Sequence, residues 1–239
     1  MEMSRNNCLI CGGELVYTEH AEELECHFCH RKFMSNARCE NGHYICDECH
    51  GKEGIRKIRE YCLATKSKNP IAIAQEVMEN PYIYMHGPEH HVLVGAALLT
   101  ACHNCGNDRD LAADLEEMIN RGNQVPGGIC GLWGSCGAAV STGIFVSIMT
   151  DSNPLSGQSW GQANEITSKA LADIAAKGGP RCCKRDSFTA ILAASRYVKE
   201  QFGIELETTP EDQVVCHFSK WNAQCLGRKC PYNVGNHRS

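Results

Sequence analysis

The first fifty residues carry cysteines in closely spaced pairs, a spacing typical of tetrahedral metal sites. Two C-x2-C pairs are separated by fourteen residues, and a Cys-x3-His-x2-Cys-x2-Cys run follows them. The eight side chains are Cys8, Cys11, Cys26, Cys29, Cys39, His43, Cys46 and Cys49. Each C-x2-C turn directs two sulfurs at one point, so the eight side chains complete two tetrahedral sites. The sequence predicts structural zinc at both.

These ligands can combine in two ways. In the sequential arrangement, which we predict, the first two pairs share one zinc ion and the last four ligands share another. In the interleaved arrangement, Cys8 and Cys11 share a metal with Cys39 and His43, and the other four cysteines form the second site. The spacing alone permits both. In either case the metal supplies folding free energy that fifty residues with few large apolar side chains lack.

A second kind of chemistry is indicated by Cys130 and Cys136, which lie in the glycine-rich residues 127–143. Glycine lets the backbone approach a bulky group closely, and Cys136 stands where a helix of small residues is predicted to begin. Unpaired amides and the positive end of the dipole at a helix start favour thiolate over thiol. The alternative is a core helix with two inert cysteines, since free cysteine is often buried.

Two adjacent cysteines, Cys182 and Cys183, are enclosed by Arg181, Lys184 and Arg185. Three cations next to a helix start predict depressed pKa values for both thiols. The alternative is a loop whose basic side chains meet solvent, but it leaves two adjacent thiols unexplained. We therefore predict a functional role for this pair.

Side chains that exchange protons occupy residues 86–91, where the order is His-Gly-Pro-Glu-His-His. Because histidine titrates near neutral pH, His86 or His90 is predicted to lie against the cysteine centre as a ligand or proton carrier. The alternative is a structural helix start whose side chains cap backbone amides. Both interpretations stay open.

Cysteines from distant loops are predicted to converge on one centre. Its members are Cys130, Cys136, Cys182, Cys183, Cys225 and Cys230, with Cys216 as a further candidate. Cys-x4-Cys-Pro near the chain end is similar to iron–sulfur ligation, so a [4Fe-4S] cluster is the predicted cofactor. The predicted function is redox or sulfur-transfer chemistry on a small anionic or sulfur-containing substrate. The candidate catalytic residues are Cys182, Cys183, His86, His90 and Arg181.

Two other functions stay open. A dithiol oxidoreductase would use Cys182 and Cys183 without a metal. A metal-stabilised binding module would instead recruit a partner enzyme or nucleic acid, although the net charge of −5 argues against a nucleic-acid partner.

The composition supports metal or redox chemistry. Seventeen cysteines and 11 histidines in 239 residues exceed ordinary usage. The chain starts without an apolar run, which predicts no secretion signal and a cytoplasmic location, where such cysteines indicate metal ligands rather than disulfides. Residues 124–150 carry no charge and are long enough to span a membrane, but their glycine and proline content favours a buried helix.

The elements that position these side chains are predicted to be mainly α-helical. Residues 1–51 form a zinc-ribbon or treble-clef module, and residues 52–69 form a helix and linker. Pro70 then opens the helical, cysteine-rich domain over residues 70–239. Later helices are predicted over residues 110–121, 160–177 and 188–202, the last capped by Asp186 or Ser187.

These motifs resemble those of a prokaryotic domain-of-unknown-function family, number 5714, over nearly the whole chain. The resemblance is carried by residues 86–91, Gly128-Ile129-Cys130, Gly134-Ser135-Cys136-Gly137-Ala138, the Gly-Gly-Pro-Arg-Cys-Cys-Lys-Arg signature of residues 178–185, and residues 222–231. It implies a domain found alone or joined to methyltransferase-like domains in largely anaerobic organisms, and so a methyltransferase or redox protein as partner. It implies no established activity.

Residues 130–143 are also similar to small redox proteins with a Cys…Gly-Cys-Ala-x-x-Gly…Cys…Cys pattern. Here the order Ser135-Cys136-Gly137-Ala138 departs from Gly-Cys-Ala.

Overall fold

The computed structural model describes Cys8 and residues 10–237, apart from the side chain of His50. Residues 1–7, on which the predicted absence of a secretion signal depends, lie outside the described part, as do Leu9 and residues 238–239. The described chain is mainly α-helical, as predicted, with a small two-stranded sheet near its N-terminus.

The N-terminal module is built on a hairpin of β1 (Leu15–Glu25) and β2 (Lys32–Cys39). The strands pair antiparallel, with Leu15 opposite Cys39 and Glu25 opposite Lys32. Most side chains of both strands are at least partly exposed, and a two-stranded sheet without a buried face is only marginally stable. The packing of the hairpin itself therefore contributes little to its stability.

Eight helices follow the hairpin in the described residues. They are α1 (Asp47–Ala64), α2 (Pro70–Met78), α3 (Glu89–Asn104), α4 (Leu111–Gly122), α5 (Ile129–Leu132), α6 (Gly137–Met149), α7 (Gln158–Lys177) and α8 (Cys183–Phe202). Four single 3₁₀ turns lie in the tail, at Glu211–Gln213, Ser219–Trp221, Gly227–Lys229 and Val234–Asn236. Helix α2 begins at Pro70, as predicted, and the Asn69 side chain caps it by accepting from the amides of Ile71 and Ala72.

Helix α8 begins at Cys183 rather than at residue 188. The predicted caps, Asp186 and Ser187, lie inside its buried first turns instead. Asp186 still supports the helix start, because its Oδ2 accepts from the Cys182 amide at 3.4 Å. The earlier start brings Cys183 into the first helical turn.

Helix α3 is the centre of the helical domain and contacts α1, α2, α4, α6 and α8. Residues 89–102 are all buried, as expected for a helix surrounded by others. Gly95 permits the close approach of α6, because its amide donates to Ser141 Oγ at 2.9 Å and a Cβ there would lie only 3.2 Å from the Ser141 carbonyl oxygen. The start of α3 is thereby held beside the start of α6.

The tail, residues 203–237, returns across the domain to the start of α8. The Cys216 amide donates to Tyr232 O at 2.6 Å, and the buried Tyr232 hydroxyl lies 3.0 Å from Thr189 Oγ1 on α8. These contacts fix the tail cysteines against that helix.

Two sequence predictions concern longer segments. The uncharged residues 124–150 form α5, a turn and the 13-residue α6, and none of the helices in the described residues has the length and apolarity needed to cross a membrane. The predicted boundary after residue 51 falls inside α1. That helix continues unbroken into the helical domain, where Ile58 and Cys62 are fully buried.

Candidate metal and thiol sites

The eight predicted metal ligands come together in two groups of four. One group is Cys8, Cys11, Cys39 and His43, and the other is Cys26, Cys29, Cys46 and Cys49. Within each group the ligand atoms all lie within 4.8 Å of one another, close enough to hold a metal ion. The arrangement is interleaved, so the predicted sequential pairing is wrong.

The hairpin explains the interleaving. The first C-x2-C pair precedes β1 and Cys39 ends β2, so antiparallel pairing brings them to the same end of the hairpin. The turn between the strands carries Cys26 and Cys29 at the opposite end, where the Cys46 amide donates to Cys26 Sγ at 3.4 Å. A sequential site would have to join ligands separated by the 11 residues of β1.

Local hydrogen bonds favour thiolate at two of these ligands. The Asn41 side chain and the Gly13 amide lower the pKa of Cys11 to about 6. At Cys26, burial opposes ionisation, but neighbouring amides donate to the sulfur and lower its pKa to about 6. Burial and nearby cysteine sulfurs raise the pKa of Cys49 to about 12. A divalent cation would offset the repulsion that keeps such thiols protonated.

A second set of cysteines surrounds a cleft in the helical domain. Cys182 lines it from the start of α8, while Cys216, Cys225 and Cys230 come from the tail. The buried Arg185 also lines it. We call this site the cysteine cleft.

Every sulfur of the cysteine cleft accepts a backbone hydrogen bond from a residue two or three positions later. The amides are those of Arg185 for Cys182, Phe218 for Cys216, Gly227 for Cys225 and Tyr232 for Cys230. Asn222 Nδ2 also donates to Cys182 Sγ, at 3.5 Å. Donors of this kind stabilise negative charge on sulfur, as bound thiolates require.

The adjacent thiols do not have the depressed pKa values predicted from their cationic neighbours. Burial raises the pKa of Cys182, and it raises the pKa of Cys183 to about 12. Lys184 and Arg185 are themselves buried and bind other groups. Lys184 Nζ donates to a backbone carbonyl before α3 at 3.3 Å, and Arg185 forms a 3.0 Å ion pair with Asp186. Desolvation therefore outweighs the nearby positive charge.

Cys182 and Cys183 are adjacent in sequence but belong to different groups. Cys182 lines the cleft, whereas the charge of Cys183 interacts with Cys136, and that of Cys136 with Cys130. Asp186 contacts both Cys182 and Cys136, because its Oδ2 lies 3.4 Å from the Cys182 amide nitrogen and 3.9 Å from Cys136 Sγ. Of the cysteines predicted to share one centre, Cys182, Cys216, Cys225 and Cys230 line the cleft, and Cys130, Cys136 and Cys183 do not. We call Cys130, Cys136 and Cys183 the second thiol group.

Residues 86–91 contact both places. The Gly87 amide donates to Cys183, and the His86 side chain is hydrogen-bonded to Asn222, which lines the cleft. Burial, and then the charge of Arg181, lowers the pKa of His86 to about 4. His86 is therefore neutral at neutral pH, and the exposed Arg181 lies close enough to influence it.

Glu89, the one carboxylate of residues 86–91, is fully buried beside His90. His90 Nδ1 donates to Gly87 O at 3.0 Å, which leaves Nε2 without a partner among the described residues. Glu89 Oε1 accepts from the Tyr84 amide at 3.0 Å, and Oε2 likewise has no partner there. Burial raises the pKa of Glu89 to about 7, against the opposing charge of Lys184. Gly87 leaves room for this side chain, because a Cβ there would occupy the space of the Glu89 carboxylate.

Comparison with protein families matches residues 58–233 to the model of a family described as a family of unknown function (DUF5714). The match covers more than half of the chain, from within α1 through the tail, and leaves both N-terminal ligand groups outside it. Comparison with curated proteins and with solved structures gives no match.

Proposed function

The chain belongs to the DUF5714 family, and because that family has no assigned function, we propose one from the residues of the chain itself. The cysteine cleft binds an iron–sulfur cluster through Cys182, Cys216, Cys225 and Cys230. The protein uses this centre for redox or sulfur-transfer chemistry, and its N-terminal module is held together by zinc.

The observation that carries this proposal is the set of amide donors around the cleft. Four thiols from two distant parts of the chain line one space, and each accepts a backbone hydrogen bond. Hydrogen bonds to ligating sulfurs are a main means by which proteins set the potential of an iron–sulfur cluster. A core of inert thiols would not need such donors, because a neutral thiol is only a weak acceptor.

The spacing of the sulfurs supports a cluster rather than a single metal ion. A tetrahedral zinc site places its sulfurs about 4 Å apart. In the described part of the chain, only the two N-terminal groups bring three or more such ligand atoms within 4.8 Å of one another. The four cleft cysteines are not that close together, and a cofactor containing several irons holds its thiolate ligands farther apart than a single zinc ion does.

The charges of the cleft support the same conclusion. A cluster held by four thiolates is negatively charged, and Arg185 lines the cleft as a buried cation. Its charge favours the thiolate forms of Cys182 and Cys230 against the effect of burial. Arg185 is held in place by Asp186 at 3.0 Å and by Pro180 O at 2.9 Å.

The proposal of zinc in the N-terminal module rests on the composition of the two ligand groups. One offers four cysteines and the other three cysteines and a histidine, and zinc prefers both of these ligand sets. With every tetrahedral position taken by protein, no position is open for a substrate. The two zinc ions are therefore structural, and the chemistry lies in the helical domain.

Anaerobic reconstitution of the full chain with iron and sulfide tests the cluster. We expect about four irons and four sulfides per chain with broad visible absorption, lost on reduction. Cys225→Ala should remove the iron while leaving the zinc content unchanged. Cys105→Ala is the matched control, since Cys105 is a partly exposed cysteine of the helical domain that does not line the cleft.

Two results would overturn the proposal. One is a folded, colourless chain that binds zinc alone after reconstitution. The other is a Cys225→Ala variant, shown to be folded by circular dichroism, that retains the iron of the unaltered chain.

A further inference from the structure

None of the cysteines of the second thiol group lines the cysteine cleft, and the proposed cluster does not use them. We propose that Cys136 and Cys183 form a redox-active dithiol that reduces a disulfide substrate. This inference does not depend on the cluster, because the dithiol itself supplies both electrons.

The fold brings these two thiols together from distant parts of the sequence. Cys136 directly precedes α6 and Cys183 is the first residue of α8, and these two helices pack against each other. Asp186 of α8 reaches across to Cys136 Sγ at 3.9 Å and joins the two helix starts.

Backbone amides point at both sulfurs. Cys136 accepts from the amides of Ala138 and Ala139 in the first turn of α6, and Cys183 accepts from the Gly87 amide just before α3. Three helix starts therefore meet at this pair. Burial raises the pKa of Cys136 to about 11 and that of Cys183 to about 12, and these donors oppose that effect in the thiolate that attacks a disulfide.

The surroundings distinguish this pair from the structural cysteines of the same domain. Cys62 and Cys102 are fully buried in the apolar core, whereas Cys136 and Cys183 are only partly buried. Beside Cys183 lies the fully buried Glu89, whose Oε2 has no partner among the described residues. An unpaired polar atom of this kind is rare in a packed core and points to a ligand or a reacting group.

The reaction is a thiol–disulfide exchange in two steps. One cysteine sulfur attacks a sulfur of the substrate, the substrate S–S bond breaks, and the first thiol leaves from the mixed disulfide. The second cysteine then attacks the mixed disulfide, which forms the Cys136–Cys183 bond and releases the second thiol. Two electrons pass from the cysteines to the substrate, and their two protons are taken by the released thiols. A second dithiol returns the pair to its reduced form.

The test uses the full chain, reduced, freed of reductant under anaerobic conditions and treated with glutathione disulfide as the probe. Differential alkylation followed by peptide mass spectrometry should find a Cys136–Cys183 bond. The unaltered chain should release two more glutathione molecules than a Cys136→Ser/Cys183→Ser variant. Cys183→Ser alone should hold a mixed disulfide on Cys136, and Cys130→Ser should behave like the unaltered chain.

The mapping of the unaltered chain decides the question even if a variant fails to fold. A Cys182–Cys183 or Cys130–Cys136 bond, or no bond within the second thiol group, would overturn the inference. Iron measured on the same samples separates it from the proposed cluster. A Cys136–Cys183 bond in a chain that binds no iron supports the dithiol and counts against the cluster. Bound iron without that disulfide supports the cluster and counts against the dithiol.

Discussion

The buried carboxyl group of Glu89 predicts an unusual pH dependence of stability. Glu89 is fully buried, and burial raises its pKa from 4.5 to about 7. Between these values the unfolded chain has already lost the proton that the folded chain still holds. The unfolded state therefore binds fewer protons, and the free energy of unfolding falls as the pH rises from 4.5 to about 7.

The size of the effect follows from the difference between the two pKa values. Each pKa unit corresponds to about 1.4 kcal/mol, so the folded state loses on the order of 3 kcal/mol across this range. Glu89→Gln replaces the carboxyl group by a neutral amide of the same shape. The stability of the variant relative to the unaltered chain should therefore improve by about 3 kcal/mol between pH values of about 4.5 and 8.

Urea unfolding of both proteins at several pH values measures this difference. Taking the difference removes every titration that the two proteins share, including that of the metal ligands. Glu200→Gln, at an exposed position of α8, is the matched control. The difference in the free energy of unfolding between this variant and the unaltered chain should not change with pH. A Glu89→Gln difference that is equally flat would refute the reasoning and mean that Glu89 stays ionised as the partner of Lys184.

Three further predictions concern packing, acid stability and metal ligation. Gly143→Ala in α6 should destabilise the protein by about 1–3 kcal/mol, because a Cβ there would lie 3.0 Å from a carbonyl oxygen of α7 and clash with a threonine side chain. Gly161→Ala in α7 should stabilise the protein by about 0.5–1 kcal/mol, because a Cβ at this position would have no neighbouring atom within 4 Å. Thermal unfolding of both variants checks this, and shifts of the same sign would contradict it. The pKa of His86 is lowered from 6.5 to about 4, so between these pH values the unfolded chain binds a proton that the folded chain does not. The free energy of unfolding therefore falls as the pH drops from 6.5 to about 4. His86→Asn should therefore shift the acid-unfolding midpoint to lower pH, and an unchanged midpoint would count against a neutral, buried His86. Cys11→Ala/Cys39→Ala removes two ligands of one interleaved group, so metal analysis should find one zinc ion lost. Loss of both ions would indicate the sequential arrangement.

Most helices were predictable from local sequence signals. Asn69 and Pro70 mark the start of α2, and the apolar spacing predicted α4 and α7 to within two residues at each end. The eight N-terminal ligands were also predictable, because C-x2-C spacing is itself a geometric constraint. Their division into two groups was not, since it depends on which ends of β1 and β2 come together.

The arrangement around Cys182 and Cys183 could not be predicted from spacing. A run of basic residues at a helix start usually points into solvent, but here Lys184 and Arg185 are buried by the tail and by residues 83–89. The direction of these side chains decides both the pKa of the thiols and which cysteine faces the cleft. It depends on contacts between segments far apart in sequence, which a local pattern does not contain.

Helix α1 links the N-terminal metal groups to the helical core without a break. Cys49 lies in its first turn, and Ile58 and Cys62 of the same helix are buried in the core. Midway along it, a Cβ on Gly54 would lie 3.5 Å from the Cβ of Glu89. Because helix formation is cooperative, a metal ion that fixes the first turn also favours the turns beyond it. Such coupling is reciprocal, so a ligand of the core whose binding is tightened by the metal should tighten metal binding by the same factor.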